Sequence, residues 1–284
     1  MSTSFAGSDG GVRQGGVEDF ERVAVAAASR AGDLLRARYG GRQQVSFKSA
    51  IDLVTTVDRE AEGLILETIR QAFPEHGIVA EESAPTSGRG EYRWYVDPLD
   101  GTTNFAHGFP QFAVSIALEH WDEVIVGVVQ DPLRAETFVA TRGGGARLNG
   151  APIAVSDVDT LDRSLVGSGF PYDVRERVDF YEVFWRLALT RAQGVRRVGS
   201  AALDLCWVAS GRLDAFWEWK LHAWDVAAGS LIVQEAGGRV SDLAGSRPRL
   251  TGGQIAASNG RVHDELVRML AEAQVRAEKS SRDA

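Results

Sequence analysis

Two carboxylates stand three positions apart in the segment YVDPLDGTTNF. An apolar run comes before Asp97, and Pro98 and Gly101 favour a tight turn directly after it. Such a turn can aim the side chains of Asp97 and Asp100 at the same point. Hard carboxylate oxygens in this arrangement are typical ligands of Mg²⁺. The segment therefore indicates metal chemistry, with an aspartate-rich turn that only caps a helix as the alternative.

Small residues follow the second aspartate of this segment. Gly101 lets the backbone approach a ligand closely, because it has no side chain. The N–H groups of Gly101, Thr102 and Thr103 can begin a helix whose positive end faces an anion. A phosphate group beside a divalent cation fits both features.

Three further segments carry acids where a strand ends or a helix begins. IVAEES places Glu81 directly after an apolar strand, at the edge of a sheet. KSAIDLVTTVDREAE passes from extended chain into a helix, with Asp58 as the predicted N-cap. LHAWDVAAG begins a helix with Asp225 in its first turn, and the small residues that follow predict a face against which another element packs closely. Acids at helix starts also have a purely structural explanation, since they stabilise the helix dipole.

Together these segments closely resemble the inositol monophosphatase family of magnesium-dependent, lithium-inhibited phosphatases. The matching motifs are AEES, DPLDGTTNF, WDVAAG, KSAIDLVTTVD and VGSAALDLC, and they occur in the family's order between about Glu18 and Met269. The resemblance implies an α/β protein with the αβαβα five-layer sandwich of the sugar phosphatases. It also implies a homodimer with two or three Mg²⁺ ions per subunit, Mn²⁺ as a substitute, and Li⁺ and Ca²⁺ as inhibitors.

The resemblance assigns the metal ligands. Glu81, Asp97 and the carbonyl of Leu99 would bind the first ion, and Asp97, Asp100 and Asp225 the second, with Glu81 also near a weaker third. Carboxylates that converge from such distant segments repel one another, so cations of comparable charge are needed to stabilise the cluster.

The implied reaction is in-line hydrolysis of a phosphate monoester by water, without a phosphoenzyme. The catalytic residues implied are Thr102, Asp58 and Glu81: the threonine, hydrogen-bonded to Asp58, orients the water and helps to remove its proton. The backbone N–H groups of Gly101 and Thr102 would hold phosphate oxygens. Lys48 would add a positive charge near the phosphate, with a surface lysine as the alternative.

The family resemblance also implies which residues bind the leaving group of the substrate. Glu218 matches the position that accepts hydrogen bonds from substrate hydroxyls, and Gly199, Ser200 and Ala201 match a loop that lines the same side. Myo-inositol monophosphate is the substrate this implies. Lys220, where many relatives have glycine, and Ser200, where the animal enzymes often have threonine, are departures that concern substrate choice. Fructose bisphosphate, histidinol phosphate and phosphoadenosine phosphate therefore stay open as alternatives.

The elements that must position these residues follow from periodicity. Apolar spacing predicts helices over residues 18–39, 59–73, 175–191, 200–210, 225–236 and 260–273. Strand patterns are GIVAEES, YRWYVDP, FAVSIALEH, EVIVGVVQDP and TFVATRGG in the first half, then SLVGSGF, GVRRVG, LDAFWEW and QIAASN. We expect a single domain over residues 17–275 in which two halves, about 17–150 and 151–275, pack together, with a disordered tail at 1–16 and a frayed tail at 276–284.

Composition limits the class of protein. Lys and Arg number 31 against 39 Asp and Glu, a balance of 31 − 39 = −8, which gives no support for a broad nucleic-acid or membrane-binding surface. No apolar leader or membrane-length run is present, so we expect a cytoplasmic protein. The single cysteine, Cys206, excludes an internal disulfide and a CxxC site, and its apolar surroundings predict an inert buried thiol.

Several other features have simpler structural explanations. TRGGGARLNG is predicted to be a hairpin connection rather than a nucleotide loop. His222 is either a neighbour of the metal ligands or, more commonly, a packed histidine at a helix start. GFPYDVRER resembles a segment that lies over the active-site region in bacterial members of the family, with no catalytic role for Tyr172 or Arg175. A regulatory protein-binding role, known for some bacterial relatives, is the alternative to catalysis alone.

Overall fold

The computed structural model describes residues 16–41, 45–47, 53–86, 88 and 91–283 of the 284-residue chain. The helices are α1 (Val17–Arg38), α2 (Thr56–Ala72), α3 (Thr102–Ala106), α4 (Val178–Arg191), α5 (Ala201–Ala209), α6 (Ala223–Glu235) and α7 (His263–Asp283), with a 3₁₀ turn at Leu161–Arg163. The strands are β1 (Val45–Phe47), β2 (Leu53–Thr55), β3 (Gly77–Ala80), β4 (Tyr92–Asp100), β5 (Ala113–His120), β6 (Glu123–Asp131), β7 (Glu136–Thr141), β8 (Gly145–Leu148), β9 (Ala151–Pro152), β10 (Leu165–Ser168), β11 (Gly194–Arg196), β12 (Ala215–Trp219), β13 (Arg239–Ser241) and β14 (Gln254–Ser258).

A seven-stranded sheet contains β3 to β9 in sequence order. Its strands pair antiparallel except for β3, which lies parallel to β4. This confirms the predicted sheet of largely consecutive strands. The glycine-rich TRGGGARLNG segment is the β7–β8 hairpin and the turn after it, as predicted, and Gly143 and Gly145 in the hairpin turn have positive φ.

A five-stranded sheet has the order β11-β10-β12-β14-β13, in which β10 is parallel to both of its neighbours. The helices separate and cover the two sheets. α1 and α2 pack on one face of the seven-stranded sheet, α5 and α6 lie between the sheets, and α4 and α7 cover the outer face of the five-stranded sheet. These are the five layers of the αβαβα sandwich that the family resemblance implied.

Small residues allow α6 to lie close to its neighbours in the middle layer. A Cβ atom on Gly127 of β6 would lie 2.7 Å from the carbonyl oxygen of Ala228, and one on Gly229 would lie 2.6 Å from Cβ of Leu205 on α5. Real Cβ atoms do not approach other atoms so closely, so glycine is required at both contacts. The predicted small, closely packed face of this helix is confirmed.

The element boundaries differ from the predictions at α2, α4 and α7 and at several short strands. α4 begins at Val178, three residues after the predicted start. α2 begins three residues before the predicted start, because Thr55 is the N-cap and Asp58 is the N3 residue of a capping box rather than the N-cap itself. α7 extends to Asp283 instead of Ala273, and it includes residues that the sequence analysis left as a frayed tail. The short strands β1, β2, β8, β9 and β13 were not predicted. None of the described helices is long and apolar enough to cross a bilayer.

Candidate active site

Asp97 and Asp100 lie at the C-terminal end of β4, on either side of a β-bulge. The strand pairs with β5 through Asp97, opposite Ser115, and pairs again at Asp100, opposite Ala113, with a register shift between them. A bulge bends the strand and re-aims its side chains. The predicted tight turn directly after Asp97 is therefore wrong in detail: the strand continues through Pro98, and the chain turns at the next glycine.

That turn is made by Gly101, the residue before α3. Its φ of 93° is in the left-handed region, and a Cβ atom would lie 2.9 Å from the carbonyl oxygen of Gln111 and 3.2 Å from that of Gly199. No residue with a side chain fits this position without displacing backbone. In the structure, the atoms that approach Gly101 closely are the backbone carbonyl oxygens of Gln111 and Gly199. The predicted helix start directly after Gly101 is confirmed.

Thr102 and Asp58 come together although they are 44 positions apart. The Thr102 hydroxyl lies 3.0 Å from Oδ1 of Asp58 and 3.0 Å from the carbonyl oxygen of Leu99. The other oxygen, Oδ2 of Asp58, accepts hydrogen bonds from the N–H and the hydroxyl of Thr55. Burial raises the pKa of Asp58, while the bonds from Thr55 and Thr102 lower it. The pairing implied by the resemblance is therefore present and fixed from both sides.

Glu81 follows β3 and lies beside Asp97. Ala80 pairs with Val96 in the parallel β3–β4 ladder, and the N–H of Glu81 donates to the carbonyl oxygen of Val96. Because β3 and β4 are parallel, Glu81, which follows Ala80, lies opposite Asp97, which follows Val96.

Asp225 approaches the same region from the first turn of α6. Its Oδ2 accepts a 2.6 Å hydrogen bond from the N–H of His222, the N-cap residue. The carbonyl oxygen of Trp224 accepts a bond from the Ser115 hydroxyl, and Ser115 is the residue opposite Asp97 in the sheet. The start of α6 is thus tied directly to the strand next to Asp97. The His222 ring stacks on Trp224 with centroids 4.6 Å apart, and the residue is exposed at the helix start.

Two links join Asp100 and α3 to the segment before α5. The Ser200 hydroxyl donates to Oδ2 of Asp100 at 2.6 Å, and the N–H of Ala202 donates to the same oxygen at 2.7 Å. The amide of Asn104 lies within hydrogen-bond distance of the carbonyl oxygens of Val198 and Gly199. The Gly199–Ala201 loop therefore lies against the site, as the resemblance implied, although the Ser200 hydroxyl is engaged with Asp100 and with capping α5.

The carboxyl groups interact electrostatically. Burial raises the pKa of Asp97 well above its ordinary value, and the charges of Glu81, Asp100 and Asp225 raise it further. Burial raises the pKa of Asp225 in the same way, with added repulsion from Asp100 and Glu81. For Asp100, burial raises the pKa to about 6, although hydrogen bonds from Ser200 and Ala202 lower it. The four acids therefore lie near enough to oppose each other's ionisation.

This donor set fits divalent cations. Asp97, Asp100 and Asp225 form no ion pair with any described residue, so their charge is not balanced within that part of the protein. Each accepts hydrogen bonds from protein donors: Asp97 from the N–H of Leu99, Asp100 from Ser200 and Ala202, and Asp225 from the N–H of His222. Among the residues that the structure describes, no three acidic, histidine or cysteine side chains are grouped closely enough to hold a metal ion by themselves. The case for a metal site therefore rests on the carboxylate chemistry and the burial of these donors.

The predicted leaving-group side contains a second group of charges around Glu218 on β12. Burial raises the pKa of Glu218 to about 8, the charge of Arg197 lowers it and that of Asp100 raises it. Asp204 on α5 is only 1% exposed, and its Oδ1 has no hydrogen-bond partner among the described residues. Burial raises the pKa of Asp204 well above its ordinary value, and Glu218 raises it further.

Sequence reasoning missed three residues of this region. Asn104 stands inside the motif DPLDGTTNF, which was the available signal, whereas Asp204 and Arg197 carry no local signal in the sequence. Lys220, which the sequence analysis linked to substrate choice, pairs through its ammonium group with Asp173 at 2.5 Å. Lys48 lies outside the described residues.

Cys206 is buried, and burial raises the pKa of its thiol well above the ordinary value, as expected for an inert packing residue. Trp94 and Trp217 are fully buried in the core, whereas Trp121 is 69% exposed in the β5–β6 turn. Tyr172 is likewise an exposed residue, at 59%.

Comparison with known proteins identifies the family to which this arrangement corresponds. Residues 17–276 match the model of the inositol monophosphatase family. The chain is 46% identical over 252 residues to a protein of Pseudomonas aeruginosa named Nus factor SuhB, covering 86% of this chain and 93% of that protein. It is 43% identical over 249 residues to inositol-1-monophosphatase of Mesorhizobium japonicum, covering 87% and 94% respectively.

A solved structure is similar over almost its whole length. The inositol monophosphatase from Anabaena (Nostoc) sp. PCC 7120 superposes with a TM-score of 0.83 at 42% sequence identity, covering 90% of this chain and 96% of that chain.

Proposed function

Because the chain belongs to the inositol monophosphatase family and is therefore a phosphatase, we propose that it hydrolyses myo-inositol monophosphate with Mg²⁺ as cofactor. The observation that carries this proposal is the group of Asp97, Asp100 and Asp225. Burial raises the pKa of all three carboxyl groups, neighbouring acids raise those of Asp97 and Asp225 further, and no described basic side chain pairs with them. Such a group is costly in a protein unless divalent ions bind there.

Glu81, Asp97, Asp100 and Asp225, with the carbonyl of Leu99, would hold the ions. Bound Mg²⁺ supplies a Lewis acid that lowers the pKa of the attacking water and stabilises charge on the departing oxygen. We expect ion binding to draw the carboxylates closer, since it removes the repulsion among them. Mn²⁺ as a substitute and inhibition by Li⁺ and Ca²⁺ are part of the same proposal.

The residues around the ions orient the water. Thr102 can accept a hydrogen bond from the water while its own proton is directed to Asp58 or to the carbonyl of Leu99, both at 3.0 Å. Burial raises the pKa of Asp58, which makes its carboxylate a better proton acceptor. Thr55 holds the far oxygen of this carboxylate, so the pair has one orientation.

The phosphate would lie at the start of α3. The N–H groups of Gly101 and Thr102 donate to no described residue, so both can hold phosphate oxygens as charge develops in the transition state. Thr103 continues the same turn. On the leaving-group side, Glu218 would accept hydrogen bonds from substrate hydroxyls, with Gly199 to Ala201 as the adjacent wall.

A substrate panel tests the proposal. Phosphate release would be followed with myo-inositol 1-phosphate, fructose 1,6-bisphosphate, histidinol phosphate and phosphoadenosine phosphate, each with saturating Mg²⁺ and with chelator. We expect turnover to require Mg²⁺ and to be fastest with the inositol ester. Turnover of none of the four would overturn the proposal, and faster turnover of another ester would replace inositol as the substrate.

A paired substitution tests the role of the hydroxyl. Thr102→Val removes the group that positions the water and should lower kcat by about 10²- to 10⁴-fold, whereas Thr102→Ser keeps the hydroxyl and should retain most activity. Retained activity in Thr102→Val would overturn the role of the hydroxyl, and equal loss in both variants would show that the methyl group is needed as well.

A role in transcription is a second candidate, favoured by the name Nus factor SuhB of the relative that is 46% identical. Asp97→Asn separates the two roles, because it should abolish turnover while the fold is kept. A cellular phenotype that survives this substitution would support the regulatory role. We also propose a homodimer, to be checked by light scattering, and a cytoplasmic location.

A further inference from the structure

The chain between β10 and α4 lies directly on the carboxyl group of Glu218. A Cβ atom on Gly169 would lie 2.1–2.2 Å from the Glu218 carboxyl atoms, closer than any real contact. The backbone at Gly169 is therefore in contact with the carboxyl group and forms one wall of the space around it. We refer to residues 169–177 as the covering segment.

One side of the covering segment is attached to α4 by aromatic contacts. Phe170 stacks on Trp185 with ring centroids 5.1 Å apart. The hydroxyl of Tyr181 donates a 3.1 Å hydrogen bond to Oδ1 of Asp173. These contacts hold the segment to α4, whose Tyr181 and Phe184 rings in turn pack on Trp219 of β12.

An ion pair also ties the segment to the residue that directly follows β12. Nζ of Lys220 lies 2.5 Å from Oδ2 of Asp173. Lys220 is two residues after Glu218, and it has a φ of 57° in the left-handed region, which is unfavourable for a lysine. Its Cα is also 3.6 Å from where a Cβ of Gly253 would be, so the backbone there is closely packed.

Resting on the proposed function, we propose that Lys220 and Asp173 form a latch that holds the covering segment across Glu218 and thereby determines which leaving groups the site accepts. A latched segment keeps the Glu218 carboxyl in the place where a polyol hydroxyl can reach it. A leaving group without hydroxyls makes no such contact, so its hydrolysis depends much less on the latch. Lys220 is in this sense a specificity-determining residue that acts through Glu218.

The test compares two esters in latch variants. Lys220→Gly suits the positive φ and removes the ammonium group; Asp173→Asn removes the charge but keeps an acceptor for Tyr181. We expect each to lower the ratio of kcat/KM for myo-inositol 1-phosphate to that for p-nitrophenyl phosphate by about three- to fivefold, the size expected for a partly exposed ion pair. The double variant should lose no more than either single one, and Lys220→Arg should retain the ratio.

A matched control is the pair of Arg212 and Glu136, which joins β7 to the turn after α5 with bonds of 2.6 Å and contacts neither the covering segment nor the chain after β12. Arg212→Gln should leave the substrate ratio unchanged. A ratio that stays within twofold of wild type in both latch variants would overturn the proposal.

Hydrogen exchange separates this inference from the proposed function. Amides of residues 169–177 should exchange several-fold faster in Lys220→Gly than in wild type or Arg212→Gln. If exchange is faster in Lys220→Gly but the wild-type protein hydrolyses neither ester, the latch is supported and the proposed inositol monophosphatase activity is wrong. Unchanged exchange would overturn the latch whatever the activity.

Discussion

The hydroxyl of Ser200 donates a 2.6 Å hydrogen bond to Oδ2 of Asp100, across 100 positions of sequence. Asp100 ends a strand of the seven-stranded sheet, and Ser200 caps the helix α5 between the two sheets. The Ser200 hydroxyl therefore caps the N-terminus of α5 and also orients a proposed metal ligand. The N–H of Ala202 donates to the same oxygen of Asp100. The stability of α5 and the geometry of the site are coupled at this position.

Ser200→Ala should weaken the fold and the metal site together. Loss of the cap and of the bond to a buried carboxylate is expected to cost about 1–2 kcal/mol in the free energy of unfolding. The Mg²⁺ concentration for half-maximal activity should rise several-fold, because Asp100 loses an orienting donor. Urea unfolding and Mg²⁺ titrations measure the two effects, and Ser200→Thr should preserve both. A variant that is destabilised with unaltered Mg²⁺ dependence would contradict the coupling.

Asp97→Asn should stop catalysis and yet stabilise the metal-free protein. Burial and the nearby acids raise the folded-state pKa of Asp97, so the metal-free wild type loses stability as pH rises from the unfolded value near 3.8 through the folded one. Asparagine avoids this cost, and the free energy of unfolding with chelator at pH 7.5 should increase by about 1–3 kcal/mol. Turnover should fall by several orders of magnitude.

The measurement is thermal unfolding of both proteins with EDTA and with Mg²⁺. Wild type should gain stability from Mg²⁺ by mass action, and the variant should gain much less. A variant that is less stable than wild type without metal would show that the charged carboxylate stabilises the fold.

Gly101→Ala should be more harmful than the same change at another glycine with positive φ. Gly101 has a φ of 93°, and its new methyl group would lie 2.9 Å from the Gln111 carbonyl oxygen. Gly143 has a φ of 75° with nothing within 4 Å, so Gly143→Ala isolates the conformational cost of about 1 kcal/mol. We expect about 2–3 kcal/mol at Gly101 in denaturant unfolding. An equal loss in the free energy of unfolding at both positions would mean that the backbone at residue 111 moves to accommodate the methyl group without measurable destabilisation.

His263 should make the fold sensitive to mild acid. Its ring lies 2.8 Å from the Ser241 hydroxyl and 2.9 Å from that of Ser258, and it is fully buried. Burial, with the charge of Arg239, lowers its pKa from 6.5 to about 4. The unfolded chain therefore takes up the proton first, so stability is complete above pH 6.5 and is lost between pH 6.5 and 4, by up to about 3 kcal/mol.

Urea unfolding at pH 7.5, 6 and 5 measures this loss. His263→Gln keeps hydrogen-bonding groups but cannot be protonated, and its stability should fall less steeply over the same range. Parallel pH profiles for the two proteins would assign the acid sensitivity to other groups.

The sequence was most informative where one strong local pattern matched the structure. The apolar positions of α1 recur along a single face, and that helix begins and ends within one residue of the prediction. The motif DPLDGTTNF gave the acids, the helix start at Thr102 and the glycine at 101. That these acids lie near Asp58 and Asp225 followed only from the family resemblance, because residues so far apart in sequence give no local sign that they meet in the fold.

The features that the sequence did not predict depend on contacts between distant residues, which leave no local pattern in the sequence. Pro98 favours a turn by itself, but pairing with β5 on both sides of it keeps the chain in the sheet as a bulge. α7 continues past Ala273 because Ala277, one turn further on, is still buried in the core, and Gln274 donates a hydrogen bond to Glu278 on the outer face. Asp204 is one acid within a buried helix, and only the packing of α5 near β12 shows that it faces Glu218.

The middle helical layer has a consequence for any attempt to divide the protein. α6 packs on the seven-stranded sheet through Ala228 and Gly127, and α5 carries the cap that holds Asp100. A fragment ending near residue 150 would expose the sheet face that α6 covers and would leave Asp100 without its donors. Co-expressed halves should regain activity only by docking through this shared layer, which makes fragment complementation a direct assay of how the interior assembles.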